Sequence, residues 1–256
     1  MKLINLTAIY VMWLREMKRF IRAKSRIAGM LGMPLFFLAF LAFGFSGANL
    51  PGIPENTNYI DFLVPGMVGM TLLFTAMFAG ISVLWDREFG FLKEIMVAPV
   101  SRVSLVLGRI AGGATTSMLQ GILILIISIP IGFSLPSFHG FIFALIFMLL
   151  ISISFIGLGL IFASKMTDIH GFSMVINFVI FPLFFLSGAI FPVSNLPAAI
   201  MPLSYLNPLT YGVDGLRGSL IGFSEFPALM DFTVLSLFCL LMVFLGAYFF
   251  EKTGVD

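Results

Sequence analysis

The sequence predicts an all-α integral membrane protein with six transmembrane helices, an N-terminal interfacial amphipathic helix and a re-entrant segment before the last helix. Of its 256 residues, 60% are hydrophobic and 10% are charged, whereas soluble domains carry about 25% charged residues. The hydrophobic residues form runs that are long enough to cross a hydrocarbon core of about 30 Å as helices. Together these observations predict one multi-pass membrane domain over residues 1–256.

The N-terminal residues 5–24 are predicted to form the interfacial helix. At 100° per residue, Arg15, Arg19 and Arg22 share one arc, while Trp13 and other apolar residues cover the opposite side. A basic face opposite an apolar face is typical of a helix that lies in the membrane interface. Two interpretations stay open: an ordinary juxtamembrane anchor, or a lever that also touches a cytoplasmic partner.

Six apolar runs are predicted to span the membrane. The third belongs to a longer apolar stretch, residues 103–133, whose first part is expected to project into the cytoplasm. Gly108 and Gly112 in that part form a GxxxG pattern, which favours close helix packing but is a weak signal in a chain with 25 glycines. The predicted spans are residues 27–45, 62–84, 116–133, 141–163, 172–191 and 229–250.

The connection between the second and third spans, residues 85–102, carries three acidic and three basic residues. A charge at the centre of a bilayer costs about 2.5–3.5 kcal/mol, so this segment is expected at a membrane surface. Helix-favouring residues at 89–97, followed by Pro99, predict a short surface helix there.

Residues 192–227 are apolar but interrupted by five prolines. They are too broken to span and are predicted to form short re-entrant helices buried within the protein. Asp214 and Arg217 lie three residues apart in this region, on one face if it is helical. They are predicted to form a structural ion pair, and a direct role in substrate passage is the alternative.

The distribution of basic residues predicts the orientation. With six spans, 13 of the 14 lysines and arginines fall on one side, and only Arg217 falls on the other. The positive-inside rule then places both termini in the cytoplasm and the chain in the cell (cytoplasmic) membrane.

Several kinds of chemistry find no support in the sequence. It contains no phosphate-binding loop of the Gly-x-x-x-x-Gly-Lys-Ser/Thr type, no Cys/His cluster for a metal, and no converging Ser/His/Asp set. We therefore expect no enzymatic activity, no cofactor, no metal and no nucleic-acid partner. A stand-alone secondary carrier or channel remains the alternative, although no convincing internal repeat supports it.

Three stretches, residues 86–102, 185–192 and 207–218, carry a family resemblance. They resemble, in this order, the coupling stretch between spans two and three, the end of the fifth span and the outer re-entrant segment of type-2 ABC exporter membrane subunits. This class includes drug-resistance, nodulation-factor and polysaccharide export permeases. The resemblance covers essentially the whole chain.

The resemblance implies an ATP-driven exporter in which separate cytoplasmic ATPase subunits bind ATP. It also implies a dimer with a second copy or a paralogous permease, surrounded by membrane lipids. Both tryptophans map to the cytoplasmic interface, which favours a drug-like, lipid-like or other amphiphilic substrate over a sugar chain. The residues implied at the ATPase contact are Glu88, Phe89, Gly90, Leu92 and Lys93.

Overall fold

Helices are the main secondary structure in the part of the chain that the computed structural model describes, which is residues 4–45, 51–53, 57–90 and 101–252. No strand occurs in these ranges, and the predicted all-α fold is confirmed. Two 3-10 turns, Ile129–Ile131 and Val193–Asn195, accompany the helices. The α-helices are α1 (Leu6–Arg22), α2 (Lys24–Gly44), α3 (Tyr59–Ala79), α4 (Ile81–Glu88), α5 (Arg102–Ser128), α6 (Phe138–Lys165), α7 (Ile169–Phe185), α8 (Met201–Leu206), α9 (Pro208–Ile221) and α10 (Ala228–Lys252).

Within the described ranges, five stretches of helix are long and apolar enough to cross a membrane. Helices α3 and α4 form one of them together, because only Gly80 separates them. A sixth apolar helix, α7, has 17 residues and is about 26 Å long at 1.5 Å per residue, slightly short of a hydrocarbon core of about 30 Å. The five stretches are Ile27–Gly44, Tyr59–Glu88, Val103–Ile131, Phe138–Lys165 and Ala228–Phe250.

Helices α5 and α7 differ clearly from the predicted spans at one end each. Helix α5 begins at Arg102, far before the predicted start at residue 116, and the Ser101 hydroxyl caps it by accepting a hydrogen bond from Ser104 N–H at 3.2 Å. Helix α7 ends at Phe185, before the predicted end at residue 191, and the chain turns at Gly188 with a φ of +73°. Polar caps and a left-handed glycine therefore set bounds that hydropathy alone does not indicate.

Helix α3 is the centre of the bundle. In the most apolar part of α3–α4, 83% of the residues are buried, against 22% for α10. Helices α2, α5, α6, α7 and α9 all contact α3. Its end crosses α6 closely, since a Cβ atom on Gly80 would lie 2.5 Å from the carbonyl oxygen of Gly159. The surrounding helices are thus positioned by one buried helix.

The proline-rich region 192–227 folds into the short helices α8 and α9. Asn207 caps α9 by accepting from Leu209 N–H at 3.1 Å, and its Nδ2 donates to the Leu183 carbonyl of α7 at 2.7 Å. Helix α9 packs against α3, α6 and α10 and is buried over most of its length. The helices are short, as the prolines predicted, and the re-entrant placement in a bilayer stays a prediction.

Candidate functional site

The N-terminal helix α1 packs tightly along the first half of α5. A Cβ atom on Gly108 would lie 2.6 Å from Met12 Cβ, and one on Gly112 would lie 2.7 Å from Glu16 Cβ. Real Cβ atoms do not approach so closely, so both glycines are needed for this separation of the two helices. The GxxxG pattern at Gly108 and Gly112 is therefore the contact surface for α1.

Two hydrogen bonds fix α1 lengthwise on α5. The Asn5 N–H donates to Ser104 Oγ at 2.8 Å, near the first turn of both helices. Further along, Trp13 Nε1 donates to Thr115 Oγ1 at 3.1 Å. Helix α1 is thus bonded to α5 at two separate points.

The carboxylate of Asp86, on α4, binds both of these helices. Its Oδ2 accepts from Arg15 Nη2 of α1 at 2.6 Å and from Arg109 Nη2 of α5 at 2.5 Å. Its Oδ1 lies 3.5 Å from Arg19 Nη2, also on α1. Asp86 and Arg109 are each only 3% exposed. One buried carboxylate therefore joins α1, α4 and α5, and we call this end of the bundle the charged end.

Ion pairs connect the charged side chains at this end. Arginine remains protonated in proteins and donates through a rigid fork. Arg109 donates from both terminal nitrogens, because its Nη2 bonds Asp86 and its Nη1 donates to Ser82 Oγ at 3.1 Å. Glu16 lies 3.3 Å from Arg15 and 3.8 Å from Arg19. We call Arg15, Glu16, Arg19, Asp86 and Arg109 the arginine cluster. Its two buried members, Asp86 and Arg109, would be strongly destabilising if either lost its charged partner.

The end of α4 reaches the surface beside the arginine cluster. Arg87 Nη1 donates to the Met166 carbonyl at 2.9 Å, which ties α4 to the connection between α6 and α7. The next three residues are exposed, and Phe89 is 81% exposed. Gly90, with a φ of +73°, ends the helix in a left-handed conformation.

The structure locates three of the five residues implied at an ATPase contact. Glu88, Phe89 and Gly90 are neighbours on the surface at the charged end. Leu92 and Lys93 lie outside the described residues, as does most of the predicted surface helix at 89–97. In the described part of residues 85–102, the buried Asp86 is thus followed three residues later by the exposed Phe89.

Arg217 lies at the opposite end of the bundle and is 1% exposed. Its guanidinium stacks on the Phe62 ring, 3.7 Å from the ring centroid. Its Nη2 donates to the Gly188 carbonyl at 2.8 Å, and its Nε lies 3.4 Å from the Phe62 carbonyl. Arg217 thus fastens the turn after α7 to α3.

Asp214 faces Arg217 at 3.8 Å, the distance of a loose ion pair. Its shorter contacts are with backbone, since its carboxylate accepts from Glu225 N–H and Phe226 N–H, each at 2.9 Å. The predicted pair is therefore close in space, yet each partner bonds mainly to a different loop. These contacts order the turns at this end of the bundle.

Sequence reasoning missed the arginine cluster as a unit. It assigned Arg15 and Arg19 to the basic face of an interfacial helix and did not single out Asp86. One signal was available, because Arg109 lies within an apolar run and an arginine there needs an acidic partner. Asp86, at the end of the preceding run, was a candidate for that partner.

The α1–α5 contact gives a direct prediction. We expect Gly112→Leu to push α1 away from α5, because the new side chain would occupy the position of Glu16 Cβ. Overpacking of this kind costs about 1–3 kcal/mol. Cysteines placed at Trp13 and Thr115 should crosslink in the parent chain and lose most of that crosslinking in the variant. Gly32→Leu is the control, since nothing lies within 4 Å of its Cβ position, and equal crosslinking in both variants would contradict the contact.

Comparisons with a family model and with individual proteins indicate the same family. A sequence model of the ABC-2 type transporter family matches residues 7–221. The chain is 29% identical over 238 residues to the inner membrane transport permease YadH of Escherichia coli (strain K12), covering 90% of both chains. It is 32% identical over 200 residues to the ycf38 protein of Porphyra purpurea, covering 77% of this chain and 67% of that one.

A third relative, the nodulation protein J of Sinorhizobium fredii (strain NBRC 101917 / NGR234), is 26% identical over 234 residues and is covered over 87% of its length. Family members are transport subunits that lack an ATPase site of their own. The matched region runs from α1 through α9 and so includes the arginine cluster and the exposed end of α4. The chain therefore belongs to the ABC-2 type transporter family, as a multi-pass membrane permease subunit of an ABC transporter.

Proposed function

We propose that the chain is the permease of an ATP-driven exporter and that separate cytoplasmic ATPase subunits bind to residues 88–93. One observation supports this above the others: exposed Phe89 lies three residues after Asp86, which holds α1 and α5. An exposed aromatic residue next to a buried charge network is suited to receive a partner and to pass on its movement. The charged end would then face the cytoplasm, together with both termini.

The transmission route follows from the contacts of α4. A partner that displaces residues 88–90 moves Asp86, and with it Arg15 on α1 and Arg109 on α5. It also moves Arg87, which is bonded to the connection between α6 and α7. One docking event would therefore shift α4, α1, α5 and the connection between α6 and α7 at once, without the permease binding ATP itself.

The proposed exporter is a dimer in a lipid bilayer, formed with a second copy or a paralogous permease. Rows of exposed aromatic side chains on α2 and α7 support an apolar environment, since Phe36, Phe40 and Phe43 are 64–73% exposed and Phe178 is 81% exposed. Lipid tails and a second permease would cover such rows. The proposed cargo is a drug-like, lipid-like or other amphiphilic molecule.

The assignment is tested by purification and hydrolysis. A tagged chain extracted from its native membrane should bring an ABC ATPase with it, and ATP hydrolysis should disappear when that ATPase is removed. Vesicles that contain both proteins should then move an amphiphile on addition of ATP. Flux driven by an ion gradient in ATP-free vesicles would instead favour a stand-alone secondary carrier or channel.

The docking residues are tested by substitution at the exposed end of α4. We expect Glu88→Lys and Phe89→Asp to reduce ATPase co-purification at least tenfold, because loss of a contact residue of this kind costs about 2 kcal/mol. Membrane insertion should be unchanged, since both side chains are exposed. Phe138→Asp is the control, because Phe138 is 75% exposed at the other end of the bundle. Normal co-purification in both docking variants would refute this docking surface.

A further inference from the structure

A small cavity lies beside the arginine cluster, enclosed by α1–α6. Its volume is about 50 Å³, and since one water needs roughly 10–15 Å³ of such space, it has room for a few waters or one carboxylate or phosphate group. Arg109 lies at its inner end, and Arg19, which is 31% exposed, lies at its rim. The cavity therefore connects a deeply buried guanidinium with a solvent-accessible one.

The cavity offers hydrogen-bond donors that the described protein does not use. Arg109 Nε is buried and has no hydrogen-bond partner among the residues that the structure describes. Arg19 Nη1 is also without a hydrogen bond in that part of the chain, and it lies 3.8 Å from Glu16 Oε1. Unused buried donors on charged groups are costly, so their position on a cavity indicates an acceptor that enters it.

The charge balance indicates the sign of that acceptor. The arginine cluster holds three guanidiniums and two carboxylates, and both carboxylates are already paired with arginines. These five described groups therefore carry a net charge of +1. An anion at Arg109 and Arg19 would accept charge-assisted hydrogen bonds from both guanidiniums.

The rest of the lining is amphipathic. Thr75, Thr116 and Gln120 supply polar atoms on the α3 and α5 walls. Phe20 of α1 and Ile27 of α2, both half-buried, supply apolar atoms to the lining. A molecule with an anionic head in the cavity could thus place an alkyl chain against these apolar side chains.

We propose that this cavity binds the anionic head group, a carboxylate or a phosphate, of a single-chain amphiphile that the transporter exports. This substrate class rests on the proposed export function, whereas the binding step does not require an ATPase. The site lies within one subunit. In this proposal the amphiphile enters the subunit from the charged end and binds there before it is exported. Arg109 and Arg19 bind the head, and Thr116 sets the space available to it.

The binding step is tested on the full chain in the neutral detergent dodecyl maltoside. The probes are palmitate, hexadecanol and hexadecyltrimethylammonium, each with a diazirine in the alkyl chain. Photolabelling by the palmitate probe should map to peptides of Phe20–Met30 or to those that contain Ile156 and Leu160, and it should exceed labelling by the other two probes about tenfold. Equal labelling by hexadecanol, or no labelling of these peptides, would overturn the proposal.

Substitutions separate the head-group site from general lipid contact. Arg19→Gln removes a rim charge, and Thr116→Leu fills the cavity without touching a charge. Each should reduce palmitate labelling about tenfold. The controls are Arg22→Gln, on the same helix but outside the cavity lining, and Thr233→Leu, an exposed threonine of α10. If the controls reduce labelling as strongly as the cavity variants, the site is refuted.

Transport distinguishes a cargo from a resident lipid. The permease and its co-purified ATPase are reconstituted in phosphatidylcholine vesicles, and ATP is added outside to reach the ATPases that face outward. ATP should drive accumulation of the palmitate probe inside the vesicles, and Arg19→Gln should reduce that accumulation. Labelling without ATP-driven accumulation would mean that the cavity holds a resident lipid, and it would overturn the substrate assignment. If no ATPase co-purifies with the permease, by contrast, the export function is refuted, but the labelling result remains valid.

Discussion

Asp86→Ala is expected to destabilise the chain by about 3–5 kcal/mol, the cost of removing one partner from a buried ion pair. Arg109, only 3% exposed, would keep its charge and lose its one carboxylate within hydrogen-bond distance among the described residues. Arg15 would lose its 2.6 Å bond, which holds α1 to α4. Thermal denaturation of the purified chain, followed by fluorescence-detected size exclusion, should show a large drop in Tm.

A second variant separates charge pairing from packing. Asp86→Leu combined with Arg109→Met removes both central charges and keeps apolar volume, and it should recover much of the lost stability. Asp168→Ala is the control, because Asp168 is an exposed N-cap of α7 outside the arginine cluster. A Tm of Asp86→Ala within a degree or two of the control would show that the cluster does not hold α1 in place.

Arg217→Ala should produce the second large effect, at the opposite end of the bundle. The side chain is among the largest that are fully buried, so truncation leaves a cavity and frees the Gly188 carbonyl. Together the lost contacts are worth about 3–5 kcal/mol. The turn after α7 should become accessible to protease or to a thiol reagent at an introduced cysteine at Ser187.

The choice of replacement identifies the contribution of the guanidinium. Arg217→Met keeps most of the volume but cannot donate to Gly188, and it should stay clearly less stable than the parent chain. Arg217→Lys should fall between the two, because an ammonium lacks the planar fork that stacks on Phe62. Arg22→Ala, at an exposed site on α1, should have little effect. Full stability of Arg217→Met would mean that packing alone accounts for this residue.

The fold was largely predictable because hydropathy dominates it. A long apolar run in a bilayer satisfies its backbone hydrogen-bonding groups by forming a helix. The observed helices overlap every predicted span. The bounds of α5 and α7 were not predictable from hydropathy, because Ser101 and Gly188 set them through local hydrogen bonding and backbone conformation.

The site was less predictable, since it depends on contacts between residues far apart in sequence. Asp86 and Arg15 are separated by 71 positions, and no spacing rule connects them. Asp214 and Arg217 were found because they lie one helical turn apart, although their backbone partners were not. Local pairs are accessible to a single sequence, whereas the arginine cluster required the packing of three helices.

The two tryptophans give this permease an intrinsic optical reporter. Trp13 is bonded to Thr115 across the α1–α5 contact, and the Trp85 ring lies 5.7 Å from the Arg19 guanidinium. The chain has no other tryptophan, so its tryptophan emission arises entirely from the neighbourhood of the arginine cluster. Intrinsic fluorescence of the purified permease therefore senses the region around α1 selectively, without any attached dye.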